Sequence, residues 1–219
     1  MRAVHRRLLA HFGELEPPRR TDPLEELVLT VLSQHTSDAN AERAFEALRT
    51  RYPTWEAVVR ARSTAIADAI RSGGLANTKA PRIQGILREI REREGRFDLS
   101  RLRRRSDEEN VRYLTSLPGV GPKTAAVVLA FALGRPTIPV DTHVHRVAAR
   151  LGLVESRSSA EKAHRALEEL VPPELRVPLH VGLIRLGRQT CKAGRPRCEE
   201  CPLADVCPTA PSVLGSPGA

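Results

Sequence analysis

Aromatic side chains are scarce in this chain: phenylalanine, tryptophan and tyrosine together make up 3% of its 219 residues. That counts against a surface that recognises its ligand by stacking on rows of aromatic rings. Long apolar runs are missing too, and none approaches the length of a membrane-spanning helix. The N-terminal MRAVHRRLLAHFGELEPP lacks the extended apolar core of a secretion signal, so a cytoplasmic protein with no membrane partner is expected. No segment alternates apolar and polar residues with period two for long enough to make a strand, which leaves an all-α fold. Lysine is rare, with four residues at positions 79, 123, 162 and 192 against thirty-one arginines. Cysteine does not occur before position 191, and four cysteines in one short loop of a cytosolic chain do not read as disulfides.

The formal net charge is +9, and it is uneven. Residues 1–50 sum to −1, residues 51–100 to +4 and residues 101–150 to +5. A positive patch of that kind suits a polyanion, because each phosphate contact releases counterions; a solvated arginine-rich surface is the plainer alternative.

Helix starts recur along the chain. Asp22 precedes Pro23 and Glu25 before an apolar stripe; Ser37, Thr54 and Ser63 each precede a further helical pattern. Ser106 with Glu109 and Ser158 with Glu161 have the spacing of capping boxes. Pro136 and Pro139 interrupt the helical pattern, so a crossing between two helical lobes is expected there. The tail PTAPSVLGSPGA is expected to fray.

The cysteines, Cys191, Cys198, Cys201 and Cys207, have the spacing C-x6-C-x2-C-x5-C. Thiolates so concentrated point to a metal, either zinc or an iron–sulfur cluster, with one close pair and two single outer ligands favouring the cluster. Lys192, Arg195 and Arg197 lie between the first two, where a fixed loop would present them to phosphate.

Residues 117–121, LPGVG, fall between two helical patterns and read as a helix-hairpin-helix turn. Gly119 and Gly121 allow positive φ and keep side chains away from an approaching phosphate, which the turn around Val120 and the next helix N-terminus would bind through N–H groups. Where this chain needs only charge it uses arginine, so Lys123 invites a chemical explanation: an amine can attack carbon, and a guanidinium cannot. Pro122 places Lys123 in the first turn of the next helix, where the helix dipole disfavours an ammonium. Asp141 precedes another helix as a natural N-cap, a position that also fixes a carboxylate in direction. His143 and His145 suit local hydrogen bonds or phosphate contact rather than metal, for want of further ligands at suitable spacing.

Together, LSQHTSD, GGLANTKA, LPGVGPKTA, VDTHVHRV and the cysteine loop, in this order from about Asp22 to Cys207, resemble the endonuclease III family within the helix-hairpin-helix DNA glycosylases. The resemblance implies two helical lobes with a DNA-binding cleft between them. Residues 22–134 would form a helical-barrel domain with the hairpin, residues 1–21 plus 135–210 a domain holding a [4Fe–4S] cluster on the four cysteines, and residues 211–219 a flexible tail. It implies a monomer acting in the cytoplasm, at the nucleoid, on double-stranded DNA that contains damaged bases or abasic sites. The damaged nucleotide would be flipped out of the duplex. Lys123 matches the nucleophile that attacks the sugar C1′ and forms a Schiff base, after which β-elimination cuts the strand; Asp141 matches the carboxylate that assists it.

The resemblance also gives DNA-contacting roles to the hairpin, to Gln34 and His35, and to Leu75 as an apolar wedge. His35 stands where relatives often carry a glutamine, Ala76 where an aromatic is common, and Thr115 where a carboxylate is frequent. Two other readings compete: a non-catalytic hairpin protein that only binds DNA, and a mismatch adenine glycosylase. The latter branch usually lacks the lysine and carries a further C-terminal domain, whereas this sequence ends twelve residues after Cys207.

Overall fold

The computed structural model describes residues 1–16 and 22–215, and these contain helices and no strand. The α-helices are α1 (Arg2–Phe12), α2 (Pro23–Ser33), α3 (Asp38–Arg51), α4 (Trp55–Arg60), α5 (Ser63–Ala69) and α6 (Ala76–Glu94). They continue with α7 (Asp107–Thr115), α8 (Pro122–Phe131), α9 (Thr142–Arg150), α10 (Ala160–Leu170), α11 (Pro173–Gln189) and α12 (Ala210–Leu214). The chain divides into two compact units, Met1–Pro18 with Pro136–Ala219, and Arg19–Arg135.

In the unit Arg19–Arg135, helix starts follow local chemistry. The Asp22 side chain accepts from the N–H groups of Leu24 (2.8 Å) and Glu25 (3.3 Å), Pro23 takes the first helical position, and Ser106 with Glu109 forms a full capping box. Leu24, Leu27, Val28, Val31 and Leu32 of α2 are buried, each leucine contributing about 2 kcal/mol by area removed from water. α8 packs on α2, and it is apolar nearly all round, with Thr124 to Ala130 buried. Small residues in that run let the hairpin helix sit deep in the core, so its N-terminal turn is held from below.

In the other unit, Leu8 of α1, Val144 and Val147 of α9, Leu167 of α10 and Leu183 of α11 share a core with Ile138, Val140 and Leu203. α9 packs on α11 at Gly187, where a Cβ would stand 3.0 Å from His143 Cβ. The lack of a side chain at position 187 is what brings α9 so close.

Three expectations need correction. Ser63 is the first helical residue of α5 and Arg62 its cap, with no side-chain cap bond. Ser159 rather than Ser158 caps α10, accepting from Lys162 N–H (3.2 Å), because Ser158 is engaged with the carbonyl of Glu155 (2.7 Å) and with His145. The tail is not wholly frayed, since Ala210–Leu214 form a helical turn whose Ala210 is buried; the last part of the expected flexible tail, residues 216–219, lies outside the described residues, as do residues 17–21.

Candidate functional site

The hairpin turn joins α7 to α8. Ser116 N–H bonds back to Arg112 and Leu117 N–H to Leu114, closing α7, and Val120 N–H reaches the Leu117 carbonyl (3.2 Å). Gly119 has φ 69°, in the left-handed region that favours glycine. Gly121 does not need that freedom: its φ is −99° with ψ 177°, an extended conformation open to any residue. What Gly121 provides is the absence of a side chain at the N-cap of α8, where a Cβ would meet nothing within 4 Å. The first N–H groups of α8 therefore have no side-chain cap, and the space beside Gly121 is open, which suits an anion there. Val120 is buried, so its side chain serves the core, and its N–H is spent within the turn.

Lys123 is half-buried in the first turn of α8, and among the described residues its ammonium has no hydrogen-bond or ion-pair partner. A cation unclaimed by the protein, beside uncapped amides, is available to a ligand.

Sequence reasoning missed Arg82. A Cβ at Gly119 would lie 2.6 and 2.9 Å from Arg82 Cδ and Cζ, so the arginine lies directly across the glycine. Its guanidinium donates to Gln34 Oε1 (2.8 Å), tying the hairpin to the end of α2. His35 follows, exposed, with φ 56°. Leu75 also has positive φ (49°) and is 57% exposed, an apolar side chain displayed to solvent just before α6. Ala76 is the first residue of α6 and packs on the core, and Thr115 bonds back to the Val111 carbonyl (2.7 Å). Lys79, counted in the sequence only as one rare lysine, is 1% exposed, and burial, with the neighbouring Arg82 charge, pushes its ammonium down to about 8.

In the other unit, Asp141 caps α9 as expected. Its Oδ1 accepts from the N–H groups of His143 (2.8 Å) and Val144 (2.7 Å), which fixes the carboxylate and leaves the second oxygen outside those bonds. His143 Nδ1 lies 3.1 Å from the Arg146 guanidinium, which also donates to the carbonyls of Gly187 (2.8 Å) and Cys191 (3.0 Å). His145 turns away to the Ser158 carbonyl (2.9 Å). Asp141, His143 and the start of the cysteine loop are thus linked through Arg146.

None of the four cysteines is in a disulfide; Cys198 is buried and the others are half-buried. Burial pushes the Cys198 and Cys201 thiols up, and the nearby cysteines add to it. Thiol ligands give up their protons when they bind a metal, so clustered sulfurs of this kind are a donor set for one. Four cysteines and no histidine make up the loop's donor set, the all-thiolate ligation that an iron–sulfur cluster takes. Arg150, also missed in the sequence, donates to Cys191 Sγ (3.2 Å) and to the carbonyls of Lys192 (2.6 Å) and Ala193 (3.0 Å). Lys192 and Arg195 are exposed; Arg197 is instead tied to the Gln189 carbonyl (2.6 Å) and to Glu200.

Residues 28–173 match the family described as HhH-GPD superfamily base excision DNA repair protein, and residues 191–207 match the iron-sulfur binding domain of endonuclease III. Endonuclease III of Thermotoga maritima is 38% identical over 189 residues, covering 86% of this chain and 84% of that protein. A non-covalent endonuclease III–DNA complex matches with a TM-score of 0.85 at 31% identity, covering 98% of this chain and 97% of the other. A trapped endonuclease III–DNA covalent intermediate, an estranged-adenine complex, matches at 0.84 and 31%, covering 97% and 96%.

Proposed function

The chain belongs to the endonuclease III family of the HhH-GPD base excision repair proteins, and from that membership we propose that Lys123 and Asp141 carry its chemistry. The protein is a DNA glycosylase and abasic-site lyase that carries a [4Fe–4S] cluster. The substrates we assign are oxidised pyrimidines and abasic sites in double-stranded DNA, met by a monomer at the nucleoid.

The observation that carries the assignment is the unpartnered Lys123 amine on the uncapped first turn of α8. A phosphate held by the amides of Gly121 and of the α8 start would set the strand beside that amine. The amine nitrogen attacks C1′ of the flipped nucleotide, the C1′–N bond breaks, and the base leaves with a proton. The C1′–O4′ bond then breaks, O4′ takes a proton and stays on C4′ as a hydroxyl, and the lysine nitrogen's electron pair forms the C1′=N Schiff base. Removal of a C2′ proton then expels the 3′ phosphate by β-elimination. Asp141, held in direction by the His143 and Val144 amides, is the carboxylate assigned to the positive charge that develops on the sugar. Cys191, Cys198, Cys201 and Cys207 hold the cluster, which supplies metal–sulfur bonds that fix the loop. Arg150 and Arg146 brace that loop at Cys191 and the two residues after it. Lys192 and Arg195 are assigned to phosphate contact from it.

The test is borohydride trapping on a duplex with an abasic site or thymine glycol. Wild type is expected to form a covalent protein–DNA adduct and to nick the strand. Lys123→Arg keeps the charge and is expected to bind DNA while forming no adduct and no β-elimination product. Trapping and cutting at the wild-type rate by Lys123→Arg would remove Lys123 from this role.

A further inference from the structure

His35 (φ 56°) and Leu75 (φ 49°) are the two non-glycine residues with positive φ among the described residues. Positive φ is uncommon for any side-chain-bearing residue and an outlier for leucine, so something must over-determine both turns. The two lie close to each other, since a Cβ at Gly74 would stand 3.9 Å from the His35 carbonyl.

Lys79 connects them. Its buried Nζ donates to the Leu32 carbonyl (2.6 Å), three residues before His35, and to the Gly73 carbonyl (2.7 Å), two residues before Leu75. Its own backbone N–H donates to the Leu75 carbonyl (2.9 Å), which anchors the far side of the second turn. One turn further along α6, Arg82 holds Gln34 (2.8 Å), the residue immediately before His35. At this position a compact ammonium directs separate donors at two carbonyls from different elements, which a planar guanidinium fork is not shaped to do.

We propose that Lys79 is a positioning residue for opening the duplex: bonded to the Leu32 and Gly73 carbonyls, it holds the His35 and Leu75 turns at a fixed spacing from each other. The two side chains then enter the base stack together, filling the space left by the extracted nucleotide and wedging the opposite strand. This rests on the reading above that His35 and Leu75 meet DNA. A lysine that only closed a helix end would not need its two acceptors to fall just before the two strained residues.

The experiment uses the full, cluster-loaded chain and two substrates carrying thymine glycol. In one the lesion is in a continuous duplex, and in the other it lies in a bubble, where no partner base must be parted from it. Duplex opening is read separately by 2-aminopurine opposite an uncleavable abasic analogue, whose fluorescence rises as the base unstacks. Lys79→Met is expected to slow excision from the duplex by about tenfold or more, the cost of a misplaced contact, while bubble excision stays near its wild-type rate. The fluorescence rise should be lost with it. Lys79→Gln, which retains two N–H donors, should fall between the two.

Equal slowing on both substrates, no slowing on either, or failure of both variants to fold would overturn the proposal, leaving Lys79 a support of the fold or a bystander. Wild type that excises from neither substrate would instead refute the catalytic reading, and the fluorescence would still judge Lys79. A full fluorescence rise in Leu75→Ala would remove the wedge, and the proposal with it.

Discussion

Gly119→Ala tests two claims about the hairpin at once: that the position needs left-handed backbone, and that Arg82 is seated on it. At φ 69° an alanine costs about 1–2 kcal/mol from its Cβ alone. The new methyl would also lie 2.6 Å from Arg82 Cδ, well inside contact distance. The backbone of the turn is tied at both ends, so the arginine, being flexible, is the part that moves. Moving it breaks the Arg82–Gln34 bond (2.8 Å), worth about 1 kcal/mol at a half-exposed site. The expected loss of stability is therefore about 2–3 kcal/mol. In an Arg82→Ala background the second part has already been lost, so Gly119→Ala should cost about 1 kcal/mol less there than in wild type. Urea unfolding of the four proteins of this cycle, with the slopes compared, measures both numbers. Equal costs in the two backgrounds would refute the seating of Arg82 on Gly119. A cost of Gly119→Ala below about 0.5 kcal/mol would refute the backbone argument. Gly121→Ala is the control, because its extended backbone and open surroundings predict little change in stability.

Asp141→Asn keeps an acceptor for the His143 and Val144 amides, so stability should change by under about 1 kcal/mol. Base release should slow by about a hundredfold, as expected for losing one electrostatic stabiliser, and single-turnover excision at the wild-type rate would contradict the assignment. Protein purified without oxygen should be yellow-brown with about four irons per chain, and Cys198→Ser should lose colour and iron together. Stoichiometric zinc in colourless wild-type protein would count against the cluster.

Most of the chemistry is legible in the sequence because it is local. Asp22, Ser37, Thr54, Ser106 and Asp141 cap their helices through amides two or three residues away, so a short window contains the whole interaction. Ser158 shows where that logic slips: two adjacent serines are equivalent as caps on paper, and the bond of Ser158 to the Glu155 carbonyl leaves the cap to Ser159. Gly121 slips similarly, since spacing alone does not say which glycine of a pair takes the positive φ. The cysteine loop is compact in sequence, so its four cysteines stand out as a group, whereas its brace, Arg150, comes from 41 residues earlier.

The sequence by itself determined the all-α class, the capped helices, the four-cysteine site and the pairing of a hairpin with a rare lysine. Each rests on residue types whose preferences act within a few positions of the chain. The tertiary structure alone decided what Lys79 and Arg82 do. Lys79 meets a carbonyl 47 residues away and Arg82 a side chain 48 residues away. In the sequence both are only positive charges on a helix. Burial and distant backbone partners, which exist only once α2, α6 and the hairpin have packed together, turn one charge into a clamp on two strained turns and the other into a tie across a glycine.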